Sequence, residues 1–173
     1  PLEMAKAYAT FANRGREVTP IGIRYIEDQT GRVILEPEAD FRREQRRAGG
    51  PRQIVSPQAA YIITDMLQTT VQSGTLRYAR TVAGDFDQPT AGKTGTTQNW
   101  SDAWTLGFTP YYTTAVWFGF DRGGTNSLGV NQTGAITAGP VWSQYMKEIH
   151  RGLPQGEFVR PDGIVQCRRV EQI

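Results

Sequence analysis

Cysteine and histidine are almost absent from this sequence, and their scarcity excludes several kinds of site. The 173 residues include a single cysteine, Cys167, and a single histidine, His150. One cysteine cannot build a disulfide framework, and the pair offers too few ligands for the usual zinc sites. His150 falls in the last turn of a predicted helix, where a cation suits the helix dipole, so we interpret it as structural rather than catalytic.

Strong charge and long apolar runs are missing as well. The formal net charge is +2, and lysine occurs only at positions 6, 93 and 147. This charge is too small to indicate nucleic-acid binding. No run of about 18 apolar residues is present to span a bilayer, and no signal-peptide pattern opens the chain. Because it starts inside a helical pattern without an initiator methionine, we expect a portion of a longer protein, with any membrane anchor upstream.

Periodic apolar positions predict three helices. Residues 2–13 carry an apolar stripe at helical spacing, and Gly15 follows as a stop signal. Ser56-Pro57 begins a second helix with an N-cap serine and a proline at the first helical position, and its apolar positions continue to Val71. The third helix spans residues 139–149, with its aromatic side chains on one face.

Alternating apolar positions predict a short hairpin and a three-stranded meander. The hairpin strands and the meander strands are, in order, residues 21–26, 32–35, 90–98, 104–108 and 113–120. Both faces of the last strand are apolar, which favours a central position or cover on both faces. Together the elements predict an α+β fold in which helices cover an antiparallel sheet.

Three polar stretches separate these elements. Residues 36–50 and the nearby arginines are interpreted as a solvated linker, with a surface for an anionic partner as the alternative. Residues 74–89 are interpreted as a loop, and residues 151–173 as a C-terminal tail with little core of its own. The arginines of the first stretch are Arg42, Arg43, Arg46, Arg47 and Arg52.

The segment 90–97, Thr-Ala-Gly-Lys-Thr-Gly-Thr-Thr, is the candidate for chemistry. A phosphate-binding P-loop would need glycine five residues before Gly92, where Asp87 stands, and a helix directly after the lysine. The segment instead suits a strand that binds a peptide-like ligand. Lys93 supplies a positive charge for a ligand carboxylate, and glycine lets a ligand lie close to the backbone.

The neighbouring residues complete this hypothesis. The hydroxyls of Thr94 and Thr96 are suited to hydrogen-bond the same carboxylate, and the Thr96 N–H would stabilise a developing oxyanion. We therefore assign Lys93 and Thr96 as catalytic candidates. The substrate-binding candidates are Lys93, Thr94, Gly95, Thr96 and Thr97.

The surroundings of this segment resemble the class A (bifunctional) penicillin-binding proteins, whose K-T-G triplet Lys93-Thr94-Gly95 matches. The resemblance covers residues 1–150 in order, and it predicts the C-terminal portion of a transpeptidase domain. The fold implied is β-lactamase/transpeptidase-like, with only the last three strands of the main sheet present. The matching segments outside the triplet are 1–13, 54–61, 64–67, 102–104, 107–110, 115–121, 133–134, 138–142 and 145–146.

The resemblance implies a serine D,D-transpeptidase that cross-links peptidoglycan stem peptides and is acylated by β-lactams. Two motifs of that reaction, Ser-x-x-Lys and Ser-x-Asn, are absent from this sequence, so we expect the isolated chain to be inactive. The expected partners are stem peptides, β-lactams and the missing N-terminal part of the domain, with no nucleic acid. Neither a metal nor an organic cofactor is expected.

The resemblance also implies a location and leaves alternatives open. The parent protein is expected at the extracytoplasmic (periplasmic) face of the cytoplasmic membrane, held only by an upstream anchor. Residues 1–150 would belong to the transpeptidase domain and residues 151–173 to the tail. The alternatives are a serine β-lactamase or D,D-carboxypeptidase relative, and a non-catalytic module that binds wall peptide or a partner.

Overall fold

The computed structural model of the protein describes residues 1–165 except positions 83, 85, 123 and 125, so Cys167 lies outside the described residues. Five α-helices and five strands occur in the described part. The helices are α1 (Leu2–Ala12), α2 (Pro37–Arg47), α3 (Pro57–Gln72), α4 (Leu76–Val82) and α5 (Gly139–Ile149). The strands are β1 (Ile26–Glu27), β2 (Val33–Leu35), β3 (Ala91–Thr96), β4 (Ala103–Phe108) and β5 (Thr113–Phe118).

The three predicted helices are confirmed as α1, α3 and α5. Helix α3 starts where the sequence predicts, because the Ser56 hydroxyl accepts a hydrogen bond from the Ala59 N–H at 3.1 Å. A five-residue π-helical turn, Gly134–Ala138, leads directly into α5. None of the helices in the described ranges has the length and apolar character that a bilayer crossing requires.

The predicted meander is confirmed as a three-stranded antiparallel sheet of order β3-β4-β5. Lys93 lies opposite Leu106, and Leu106 lies opposite Ala115. The tight connection from β4 to β5 closes with a hydrogen bond of 2.9 Å from the Thr109 N–H to the Tyr112 carbonyl. The short hairpin β1–β2 forms a separate two-stranded sheet.

Of the two alternatives predicted for β5, helix cover is the one observed, because within the described residues this strand pairs only with β4. Both α1 and α5 contact β5, which agrees with its apolar faces. The free edge of β5 borders a groove of about 520 Å³ that α1 and α5 flank. The apolar character of the strand therefore comes from helix cover, and one edge of the sheet stays open.

The linker interpretation of residues 36–50 is wrong, because most of this stretch forms helix α2. Pro37 occupies the first helical turn, with Glu38 and Asp40 beside it, and arginines fill the last turn, as the helix dipole favours. Glu38 accepts hydrogen bonds from Arg24 at 2.8 Å and from Arg42 at 2.7 Å. These two guanidinium groups hold the pKa of the Glu38 carboxyl below its ordinary value.

The loop interpretation of residues 74–89 is also wrong in part, because helix α4 lies inside it. Leu76 and Ala79 are fully buried and cluster with Val71 of α3. Gly139 at the start of α5 packs so close to Ala79 that a side chain there would clash. Tertiary packing thus stabilises a seven-residue helix that is too short to form alone.

His150 caps the end of α5 as predicted, and its ring is buried. Thr109 Oγ1 accepts from the N–H groups of Tyr111 and Tyr112, so its proton is directed to His150 Nε2 at 2.7 Å. His150 Nδ1 donates to the Met146 carbonyl at 2.6 Å. This pattern makes the histidine a buried link between α5 and the β4–β5 turn.

Residues 151–165 contain no helix or strand, yet they pack on the domain. The Gln88 side chain donates to the Pro154 carbonyl at 2.9 Å and accepts from the Gly156 N–H at 2.9 Å. The Phe158 ring packs edge-on against the buried ring of Phe108. The division of the chain at residue 150 stays a prediction.

Gly107→Ala tests the packing of α5 on the sheet. A Cβ at this position would overlap the ring of buried Trp142. We expect the free energy of unfolding to fall by about 1–3 kcal/mol, the usual cost of overpacking, as measured by denaturant titration. Gly22→Ala is the control, because nothing lies within 4 Å of its Cβ position. Equal stability of the two variants would contradict the packing.

Candidate active site

Strand β3 forms one edge of the sheet and carries the predicted site. The Thr97 N–H continues its ladder by donating to the Asp102 carbonyl at 3.2 Å. Antiparallel hydrogen bonding alternates, so the backbones of odd-numbered residues such as Lys93 and Gly95 pair with β4. The N–H and C=O groups of Thr94 and Thr96 therefore point to the free edge.

The side chains of β3 divide between the two faces of the sheet. Thr94 lies opposite Thr105, and both face the turn at Gly134 with Thr96. Lys93 lies on the other face, because successive side chains alternate. The ammonium and the two hydroxyls, predicted to bind one carboxylate, therefore approach from opposite faces and can meet only at the free edge.

The Lys93 ammonium already lies at that edge. Its Nζ donates to the Thr94 carbonyl at 2.6 Å, and its side chain is exposed. No carboxylate lies within ion-pair distance of Lys93 among the residues that the structure describes. Its positive charge is therefore available to an anionic ligand.

Two residues that the sequence did not indicate hold the threonine hydroxyls. Thr94 Oγ1 lies 2.9 Å from Thr75 Oγ1, just before α4. Thr96 Oγ1 accepts from the Gly134 N–H at 3.0 Å, which leaves the hydroxyl proton of Thr96 for a ligand. No pattern in the sequence connects positions 75 and 134 with the triplet, because both contacts depend on tertiary packing.

Gly134 reaches Thr96 because it has no side chain. A Cβ there would overlap the Trp104 carbonyl oxygen and lie 2.5 Å from the Gly95 carbonyl oxygen. The buried Thr105 hydroxyl donates to the Gly134 carbonyl at 2.9 Å and fixes the turn. The end of β3 is thus held against the segment that begins α5.

Gly95 is half-buried, and its surroundings differ from those of Gly134. A Cβ on Gly95 would make an ordinary contact of 3.4 Å with Trp104 Cβ. Packing within the described chain therefore does not require glycine at this position. A ligand that lies against the strand is a separate reason for glycine, in agreement with the sequence hypothesis.

Thr97 is placed differently from the other predicted residues. Its hydroxyl donates to Asp102 Oδ2 at 3.0 Å and accepts from the Asp102 N–H at 2.8 Å. Both hydrogen-bonding roles of the Thr97 hydroxyl are therefore taken within the chain. Across the described ranges, no group of three or more His, Cys, Asp or Glu residues is placed to hold a metal.

Comparison with known proteins supports the resemblance seen in the motifs. The family described as penicillin binding protein transpeptidase domain matches residues 1–147. The chain is 37% identical over 168 residues to penicillin-binding protein 1A of Aquifex aeolicus and 39% identical over 165 residues to that of Neisseria lactamica. Each match covers 95% of this chain but only 21% and 19% of those relatives, so the chain spans about a fifth of their length.

Solved structures agree with the fold. The crystal structure of penicillin-binding protein 1A from Haemophilus influenzae matches with a TM-score of 0.77 and 27% identity, over 95% of this chain and 28% of that one. Penicillin-binding protein A of Mycobacterium tuberculosis, solved as an imipenem acyl-enzyme complex, has a TM-score of 0.59 and 22% identity over 86% of this chain and 31% of that one, and supports the fold alone.

The motifs, the sheet order and the family match lead to the same conclusion, and the β-lactamase-like α+β fold is that of the structural relatives. The chain belongs to the penicillin-binding protein transpeptidase family.

Proposed function

We propose that this chain supplies the carboxylate-binding and oxyanion-forming part of a serine D,D-transpeptidase. The observation that carries the proposal is the free edge of β3, where Lys93 Nζ lies on the Thr94 carbonyl and the Thr96 backbone faces the same edge. The matched family is named for transpeptidation, which is acyl transfer between peptides. A positive charge and an unpaired N–H on a strand edge suit that chemistry.

The proposed reaction begins with an upstream serine that is outside this sequence. The serine oxygen attacks the carbonyl between two terminal D-alanines of a stem peptide, the second D-alanine leaves as an amine, and an acyl-enzyme forms. An amine of a second stem then takes the acyl group and releases the serine. β-Lactams would acylate the same serine.

Four residues of β3 have roles in this proposal. Lys93, Thr94 and Thr96 hold the terminal carboxylate of the stem peptide, and the Thr96 N–H forms half of the oxyanion hole. Gly95 lets the peptide lie along the strand. Residues 1–150 would form the C-terminal portion of the transpeptidase domain, and residues 151–173 its tail.

The parent protein would act at the extracytoplasmic face of the cytoplasmic membrane, held there by an upstream anchor. Its partners would be stem peptides, β-lactams and the rest of the transpeptidase domain. The open edge of β5 and the groove beside it are suited to receive that upstream part.

Lys93→Ala in the parent protein tests the carboxylate contact. Because a hydrogen bond to a charged group contributes about 1.5–3 kcal/mol, we expect the second-order rate of acylation by penicillin to fall on the order of ten- to hundredfold. Stopped-flow or gel-based labelling measures that rate. Lys147→Ala, in the last turn of α5, is the matched control and should acylate normally. An unchanged rate in Lys93→Ala would remove Lys93 from this role.

The isolated chain is expected to show no covalent labelling by a fluorescent penicillin, because acylation requires the serine of Ser-x-x-Lys. The parent protein, labelled in parallel, is the positive control. A labelled band from residues 1–173 would show that the chain contains a nucleophile. An unlabelled parent would instead favour the non-catalytic alternative.

The isolated chain is also expected to associate with the missing part of the domain or with itself. Apolar side chains stay exposed beside β5 and on α3, including Leu2 at 64% and Met66 at 63%. Sedimentation velocity should detect dimers or larger species that a separately produced upstream part dissociates. A dilute monomer with cooperative unfolding would contradict this expectation.

A further inference from the structure

The turn that follows β3 is strained. Residues Gln98–Trp100 form a single 3-10 turn between β3 and β4. Asn99 and Trp100 have φ angles of 59° and 50°, in the left-handed region that glycine favours. Left-handed backbone at non-glycine residues is unfavourable and persists only where the surroundings enforce it.

Three hydrogen bonds between Asp102 and Thr97 close this turn, and a fourth joins Asp102 to Trp117. Besides the backbone bond from the Thr97 N–H to the Asp102 carbonyl at 3.2 Å, the Asp102 N–H and carboxylate both bind the Thr97 hydroxyl. The second carboxylate oxygen, Oδ1, accepts from Trp117 Nε1 at 2.9 Å. The Asp102 carboxylate therefore links Trp117 of β5 to Thr97, the residue that follows β3.

Gly119 makes room for this arrangement. A Cβ there would lie 2.5 Å from Asp102 Oδ1 and from the Trp117 indole. Gly119 thus lies directly against the Oδ1 side of the carboxylate. One carboxylate oxygen is bonded to Trp117 and the other to Thr97.

Thr96 lies directly before this closed turn. Its hydroxyl is held on one side by the Gly134 N–H at 3.0 Å, and its C-terminal peptide bond leads into Thr97. The Thr96 N–H belongs to the Gly95–Thr96 peptide, whose carbonyl pairs with β4, while Thr97 holds the other side of Thr96. Because rotations at Thr96 join the two peptides, the direction of this N–H along the free edge depends on the β4 ladder and on where Thr97 is held. Loss of the Thr97 hydroxyl contact would let the strained turn relax and rotate that end of the strand.

We propose that Asp102 is a positioning residue which, through the Thr97 hydroxyl, aims the Thr96 N–H at the position of the oxyanion. This inference rests on the proposed function and adds a residue to it. Thr97 then acts through its neighbour and is not itself a substrate contact. Lys93 lies four residues before Thr97, toward the middle of β3. Carboxylate binding by Lys93 is therefore expected to be independent of the contact that aims the Thr96 N–H.

Acylation kinetics of the parent protein with benzylpenicillin test the inference. Thr97→Val keeps the branched shape but removes the hydroxyl, and Asp102→Asn replaces the Oδ2 acceptor with a donor. We expect the acylation rate constant to fall about tenfold or more, less than the roughly hundredfold loss typical of a deleted oxyanion donor. The dissociation constant of the non-covalent complex should change less than about twofold, because Lys93 is untouched. Thr97→Ser should restore the rate constant.

A second readout does not depend on activity. In parent protein labelled with ¹⁵N-threonine, the Thr96 amide resonance should shift in Asp102→Asn, a substitution that leaves both sequence neighbours of Thr96 unchanged. If the wild type is not acylated but this shift occurs, the proposed function fails while the positioning of Thr96 stands. If the wild type is acylated and Thr97→Val has the same rate constant, the inference is overturned. If binding affinity and the acylation rate constant both fall together with the melting temperature, Asp102 has a merely structural role. That result would also overturn the inference.

Discussion

One-sided pairing of β3 is the constraint on which the candidate site depends. Because β4 takes the backbone groups of the odd-numbered residues, Thr94 and Thr96 keep their N–H and C=O groups at the free edge. Lys93 reaches that edge from one face and the threonine hydroxyls from the other. An elongated peptide with a terminal carboxylate can therefore lie there, pairing with the strand along its length and with the charge at its end.

Close packing behind the sheet holds this edge in place. Helix α5 approaches β4 through Gly107, where Trp142 occupies the space of a side chain, and it approaches α4 through Gly139. The turn before α5 approaches the strand carbonyls through Gly134 and donates its N–H to Thr96. The core and the site are thus connected physically, because the turn that contacts Thr96 leads directly into α5, the helix that fills the core.

The errors of the sequence analysis share a physical origin. Helix α4 has too few residues to be stable alone, and it forms because Leu76 and Ala79 are buried by other elements. Helix α2 is too polar to show an apolar periodicity, and one of its ion pairs, Glu38–Arg24, involves a residue of another segment. The apolar faces of β5 left a central position and helix cover as alternatives, since periodicity does not report the number of hydrogen-bonded neighbours.

The sequence by itself determined the family, the α+β fold, the three principal helices, the order of the meander and the K-T-G strand. It could do so because these features depend on local periodicity, capping residues and a contiguous motif. Only the tertiary structure decided that β3 is a free edge, that Thr96 is held by Gly134, and that Thr97 is held by Asp102. It also buried His150 between α5 and the β4–β5 turn. These facts depend on contacts between residues distant in the chain or on backbone angles within a strained turn. No sequence pattern indicates such contacts or angles.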